Sequence, residues 1–113
     1  VLQISNGKIE ETKFNPEELG VSRAELSELA GGDAKVNARF TREILGGKTG
    51  AMRDAVTLNA AFAIAAFKGD FHLPLQTQIA NGLVLANKAI DSGAALSVLV
   101  KWAELSNEIV SAR

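Results

Sequence analysis

A chain of 113 residues has room for one small domain and no more. Hydrophobic residues make up 47% and charged residues 22% at a formal net charge of -1, the profile of an ordinary globular segment. The 12 Lys and Arg are scattered and balanced by 13 Asp and Glu, which excludes a cationic face for nucleic acid, and the lack of cysteine excludes disulfides, thiolate metal sites and a cysteine nucleophile.

Residues 1–5 and 8–14 flank Asn6-Gly7, a pair that readily supplies the two positive-φ positions of a tight hairpin turn. The alternation in Lys8-Ile9-Glu10-Glu11-Thr12-Lys13-Phe14 is imperfect, and a short antiparallel pair is the expected structure. A lone two-stranded hairpin is marginal in water, so it needs a larger sheet or helices to pack on. The chain opens on this strand at Val1 without an initiator methionine or a basic leader, which is expected of a piece of a longer protein.

Asn15-Pro16-Glu17-Glu18-Leu19-Gly20 reads as a single helical turn with Asn15 as cap, Pro16 first and Gly20 as stop. Ser22 to Ala30 is a second short helical candidate, with Ser22 and Glu25 at capping-box spacing and Gly31-Gly32 ending it. Asp33 then caps a helix to about Leu45 with Val36, Asn37, Phe40 and Ile44 on one stripe, stopped by Gly46-Gly47. A further helix near Gly50 to Phe67 is apolar almost all round, the mark of a helix surrounded by other elements. Its apolar run from Ala55 is too short to span a membrane, which takes roughly 20 such residues.

Pro74 opens the next helix, with Leu75, Ile79, Leu83, Ala86 and Ile90 at helical spacing and Gly93 as the break. The last helix runs from about Ala95 to Val110, with Leu96, Leu99, Val100, Ala103 and Val110 on one side and Trp102 and Leu105 widening the stripe. The chain therefore divides into a hairpin (1–14), turns with a short helix (15–32) and four helices (33–113). Several apolar helices with one hairpin are expected of part of a larger layered domain whose sheet is mostly elsewhere.

No local motif carries chemistry by itself. Gly46-Gly47-Lys48-Thr49 ends like a phosphate-binding loop, but the opening glycine would fall at Arg42, and a helix rather than a strand leads in. Gly31-Gly32-Asp33 precedes a helix N-terminus that could hold an anion, yet Asp33 as cap would occupy that positive end and repel phosphate. Glu10-Glu11 point to opposite faces of a strand, and Glu17-Glu18 complement the dipole of a short helix, so neither pair makes a magnesium site. His72 reads as an exposed loop histidine without a partner, and Asn59 as a packing residue bonding a neighbouring backbone. The expectation is that no catalytic, substrate-binding or metal-ligating residue lies in this chain.

One set of motifs runs in order through Asn6-Gly7-Lys8-Ile9-Glu10-Glu11 and Phe14-Asn15-Pro16-Glu17-Glu18-Leu19-Gly20. It continues through Gly31-Gly32-Asp33 with Asn37-Ala38, Ile44-Leu45-Gly46-Gly47, Arg53-Asp54-Ala55-Val56 with Leu58-Asn59-Ala60-Ala61, and Ala89-Ile90-Asp91-Ser92-Gly93 with Ala95-Leu96. This ordered set resembles the motifs late in the anthranilate phosphoribosyltransferases, in the glycosyltransferase and nucleoside phosphorylase superfamily. It departs at Ala30 and Ala94, where the family often has basic residues. The resemblance implies a two-domain enzyme, homodimeric and cytoplasmic (plastid in a plant), with a helical N-terminal domain and an α/β domain of which residues 1–113, mostly helical with an N-terminal β-hairpin, are the C-terminal part. Such an enzyme transfers phosphoribosyl from phosphoribosyl pyrophosphate (PRPP) to anthranilate in tryptophan biosynthesis, with magnesium and without nucleic-acid or membrane partners. It also implies that the pyrophosphate loop, the anthranilate contacts and an Asp-Glu metal pair all precede this segment, leaving it as scaffold. A pyrimidine nucleoside phosphorylase-like protein, a catalytically silent paralogue and a stand-alone helical interaction module are the alternatives.

Overall fold

Asn6 and Gly7 take φ of 49° and 72°, the two left-handed positions that reverse a strand tightly. The structure, a computed structural model, describes residues 1–112. The turn joins β1 (Leu2–Ser5) to β2 (Lys8–Glu11) in one antiparallel sheet, with Leu2 opposite Glu11 and Ile4 opposite Ile9. Leu2, Ile4 and Ile9 are each about two-thirds exposed, so one apolar face of the hairpin has no cover within the chain. The other end is anchored, because Phe14 meets Phe62 edge to face with ring centroids 5.1 Å apart.

Asn15 caps a 3-10 turn at Pro16–Leu19 by accepting from the Glu17 amide, and Gly20 closes it at φ 78°. The next stretch differs from the helix expected over Ser22 to Ala30. Only Leu26–Leu29 form a turn, again 3-10, and Ser22 caps nothing there. The capping partners sit three residues later, with the Glu25 amide donating to Glu28 Oε2 at 2.9 Å. Residues 22–30 are all exposed, so no packed face repays the cost of nucleating a longer helix.

Four α-helices follow: α1 (Ala34–Leu45), α2 (Ala51–Lys68), α3 (Leu75–Asp91) and α4 (Ala94–Ser111). A hairpin followed by helices is what an α/β segment with most of its sheet elsewhere should show, so the expected fold class holds. Asp33 caps α1 through the Val36 amide, and Gly93 at φ 77° turns the chain from α3 into α4. The core lies between α2 and α3, where Ala61, Ala65, Ile79 and Leu83 are buried together. Complete burial of Ile79 alone contributes about 1.5–3 kcal/mol.

The α2–α3 contact is set by small residues. A Cβ added at Gly82 would meet the Ala61 carbonyl oxygen at 2.4 Å and the Ala61 Cα at 2.9 Å. Helix α2 is not surrounded, however. Arg53, Thr57, Ala61 and Ala65 form its buried stripe, while Val56 is 44% and Phe67 93% exposed. Its all-round apolar character is thus satisfied on one side only.

The same openness shows in the whole chain. Its accessible surface is 8186 Å², against about 5,900 Å² for a compact folded monomer of this mass. Its radius of gyration is 16.6 Å, against about 13 Å for a compact domain of this length. The segment exposes apolar surface that a compact domain would cover.

Gly82→Ala should separate α2 from α3 and lower stability by about 1–3 kcal/mol. Urea unfolding followed by circular dichroism measures this, and an unchanged midpoint would show that the close approach is not needed.

Candidate functional site

The sequence singles out two glycine-rich turns as anion-binding candidates, and the structure shows what their amides do. At Gly46-Gly47-Lys48 the three amides donate in turn to the carbonyls of Arg42, Ile44 and Glu43. They close the C-terminus of α1 and leave no outward cradle for phosphate. Lys48 turns back as well, with Nζ 2.7 Å from Glu43 Oε2. That hydrogen bond, with the charges of Lys48 and Arg39, holds the Glu43 carboxyl below the usual carboxylate range despite a smaller opposing effect of desolvation.

At Gly31-Gly32-Asp33 the middle amide is also committed. Gly32 donates to Asn37 Oδ1 at 2.9 Å, Asn37 Nδ2 returns a bond to the Gly32 carbonyl at 2.8 Å, and Val36 donates to Asp33. The glycine pair is needed for this close approach. A Cβ at Gly31 would meet Asn37 Oδ1 at 2.7 Å, and one at Gly32 would meet Val36 Cγ1 at 2.9 Å. Here the glycines serve an Asn37 clasp that fixes how the chain enters α1.

The carboxylate pairs do not converge either. Glu10 lies opposite Gln3 and Glu11 opposite Leu2 in the ladder, so the two side chains leave opposite faces. Glu17 pairs with Arg23 at 3.1 Å beside a cavity of about 250 Å³ between the 15–29 segment and α2. Among the described residues no group of three or more His, Cys, Asp or Glu could hold a metal ion. These side chains do not fit magnesium.

His72 is exposed beside Lys8 and Glu10 in an open depression of about 510 Å³ at the hairpin end. Asn59 departs from its expected role. Its Nδ2 donates to the Ala55 carbonyl at 2.8 Å on its own helix, and it faces outward rather than fixing a neighbour. An amide that reaches its own preceding turn needs no second element.

The strongest polar constellation went unassigned in the sequence. Arg53, only 8% exposed, donates from Nη1 to the Gly47 carbonyl at 3.2 Å. From Nη2 it donates to Asn87 Oδ1 at 2.9 Å and to Asp91 Oδ1 at 2.7 Å. One guanidinium thus ties the α1–α2 turn to the last two turns of α3, using the planar fork that a lysine lacks. The available signal was a lone arginine at the head of an alanine-rich helix, with Asp91 closing the next one. The network has no nucleophile and no base facing an open pocket, so it positions helices.

A family model described as "Glycosyl transferase family, a/b domain" matches residues 1–96. The chain belongs to this family. As a member of the glycosyl transferase family it has relatives that share nearly all of it. It is 43% identical over 110 residues to a protein of Rhodococcus jostii (strain RHA1) named anthranilate phosphoribosyltransferase, covering 97% of this chain. Proteins of the same name from Rhodococcus opacus (strain B4) and Arthrobacter sp. (strain FB24) are 44% and 45% identical, over 97% and 94% of the chain. The resemblance read from the ordered motifs is borne out by these matches. This glycosyl transferase segment spans about 30% of the length of the relatives it matches. Among its described residues no single helix is long and apolar enough to cross a membrane.

Arg53→Ala should cost about 2–3 kcal/mol, because the Gly47 carbonyl and Asn87 lose a buried partner. Asp91→Asn should cost less than about 1 kcal/mol, since the Asp91 side chain is 59% exposed and its pairing is screened. Urea midpoints of the two variants decide the order; equal losses would show that the ion pair, not the burial of Arg53, holds the helices.

Proposed function

We propose that this chain is the C-terminal portion of the α/β domain of an anthranilate phosphoribosyltransferase and acts in it as scaffold. The observation that carries this reading is the similarity to relatives of that name over nearly the whole chain, joined to the open surface described above. The parent would transfer phosphoribosyl from PRPP to anthranilate in tryptophan biosynthesis, with magnesium bound by residues outside this segment. It would act as a cytoplasmic homodimer. The chemistry would belong elsewhere in the parent, a placement supported by the Gly46, Gly47, Lys48 and Gly32 amides, which are spent on the chain itself.

In that setting the uncovered apolar face of the hairpin, formed by Leu2, Ile4 and Ile9, would be covered by the remaining α/β domain. The α2–α3 pair would then stand behind the sheet as a rigid buttress. Its stiffness comes from the Gly82–Ala61 approach and the Arg53 network. A buttress of this kind keeps substrate-holding loops in register without touching substrate, and small misplacements of reacting groups cost rate steeply.

The reading is tested with the Rhodococcus jostii relative cut back by the matching 30% and then completed with this chain as a fusion. The truncated relative and the isolated chain should each give no turnover of anthranilate with PRPP, and the fusion should restore it. Turnover by the isolated chain would contradict the placement of the chemistry. A folded fusion that phosphorolyses pyrimidine nucleosides but leaves anthranilate untouched would favour a nucleoside phosphorylase.

A further inference from the structure

Two Asn-Gly pairs occur in the chain, Asn6-Gly7 and Asn81-Gly82, and the fold places them in opposite surroundings. An asparagine side-chain amide is open to attack by the backbone nitrogen that follows it. Glycine in the next position favours this, because no Cβ stands in the way and the backbone turns freely. At every other asparagine the next residue carries a side chain. The local covalent chemistry is the same at both pairs, so the structure around them decides which one reacts.

Asn6 and Gly7 are both exposed at the tip of the hairpin. Among the described residues neither the Asn6 side chain nor the Gly7 amide is engaged in a hydrogen bond. Nothing lies within 4 Å of where a Gly7 Cβ would stand, so no neighbour blocks a swing of the Gly7 nitrogen toward the Asn6 side chain. That swing needs the turn to open. Only four residue pairs hold the two strands together, and their apolar face is uncovered, so opening costs little.

Asn81-Gly82 lies inside α3, where the Gly82 amide is spent on the helix ladder. Gly82 is also buried, with its backbone against that of Ala61. Turning its nitrogen onto the Asn81 side chain would break α3 and lift it off α2. Such an opening approaches global unfolding.

We propose that Asn6-Gly7 is a site of spontaneous deamidation in the folded chain, while Asn81-Gly82 is protected. The Gly7 nitrogen forms a bond to Asn6 Cγ as the Cγ–Nδ2 bond breaks, and the side-chain nitrogen leaves as ammonia with the proton lost from Gly7. Water then opens the five-membered imide. Cleavage of the nitrogen–Cγ bond gives aspartate, and cleavage of the nitrogen–main-chain carbonyl bond gives isoaspartate. In the isoaspartyl product the main chain runs through Cβ and Cγ and is one carbon longer. A two-residue turn then no longer fits, and the register that sets Ser5 opposite Lys8 and Ile4 opposite Ile9 is lost. The site depends on the hairpin alone and not on the transferase reading.

Timed incubation of the 113-residue chain at mildly alkaline pH, followed by trypsin and mass spectrometry, tests the proposal. Cleavage after lysine isolates each pair, in peptides 1–8 and 69–88. Peptide 1–8 should gain the mass that accompanies conversion of an amide to an acid and split into two products of equal mass. Conversion at Asn81 should be at least roughly tenfold slower, because its opening is the costlier one. In concentrated urea the two sites should convert within about threefold of each other, since the folded surroundings that distinguish them are gone. Asn6→Gly keeps a residue that tolerates the turn's φ of 49° and should abolish the mass gain in peptide 1–8. Equal rates at the two sites in the folded chain overturn the proposal. So does a peptide 1–8 that stays unmodified in the folded chain while it converts in urea.

Discussion

The fold depends on how closely α3 can approach α2. With no side chain at Gly82, the backbone of α3 sits against the Ala61 carbonyl, and that proximity places Ile79 and Leu83 where they are buried by Ala61 and Ala65. Alanines on α2 suit this arrangement because they bury surface with no rotamer entropy to lose. The two ends of the contact are then pinned differently. Arg53 and its three acceptors hold the head of α2 to the tail of α3. The edge-to-face contact of Phe14 with Phe62 brings the chain beyond the hairpin onto the same pair of helices.

Everything outside that seam is held more loosely, and the looseness has a pattern. The hairpin lies against the helices at its Phe14 end and leaves Leu2, Ile4 and Ile9 in water. Helix α4 departs from the body after its first turns. Helix α2 shows Phe67 to solvent. In the proposed setting the exposed faces are where the remaining α/β domain would cover the segment, which spans about 30% of its relatives. In the proposed setting the segment would contribute stiffness at a distance from the chemistry, with Arg53 and Asn37 spent on internal joints.

Much of this was legible in the residues themselves. Asn6-Gly7 specified the hairpin turn, Asp33 and Gly93 marked helix ends, and the ordered glycine and alanine motifs carried the family. What escaped the sequence depended on contacts distant along the chain. Nothing near Gly82 announces that Ala61 will press against it, and Arg53 meets Asn87 and Asp91 only once two helices have crossed. The 22–30 stretch misled for the opposite reason. Its caps and helix formers were locally persuasive, but no surface was there to receive the helix, so only the Leu26–Leu29 turn formed. The glycine-rich turns were readable as structural, yet the Asn37 clasp that explains Gly31-Gly32 forms only once α1 brings Asn37 back onto them.

Order in this chain radiates from the α2–α3 seam and fades toward its uncovered apolar faces. Amide hydrogen exchange resolved by residue tests it most directly. The slowest exchange is expected at Ala61, Ala65, Ile79 and Leu83, with Lys8–Glu11 exchanging orders of magnitude faster. Hairpin amides as protected as those of the seam would contradict the account, because the two strands would then be stable without the cover their exposed face calls for.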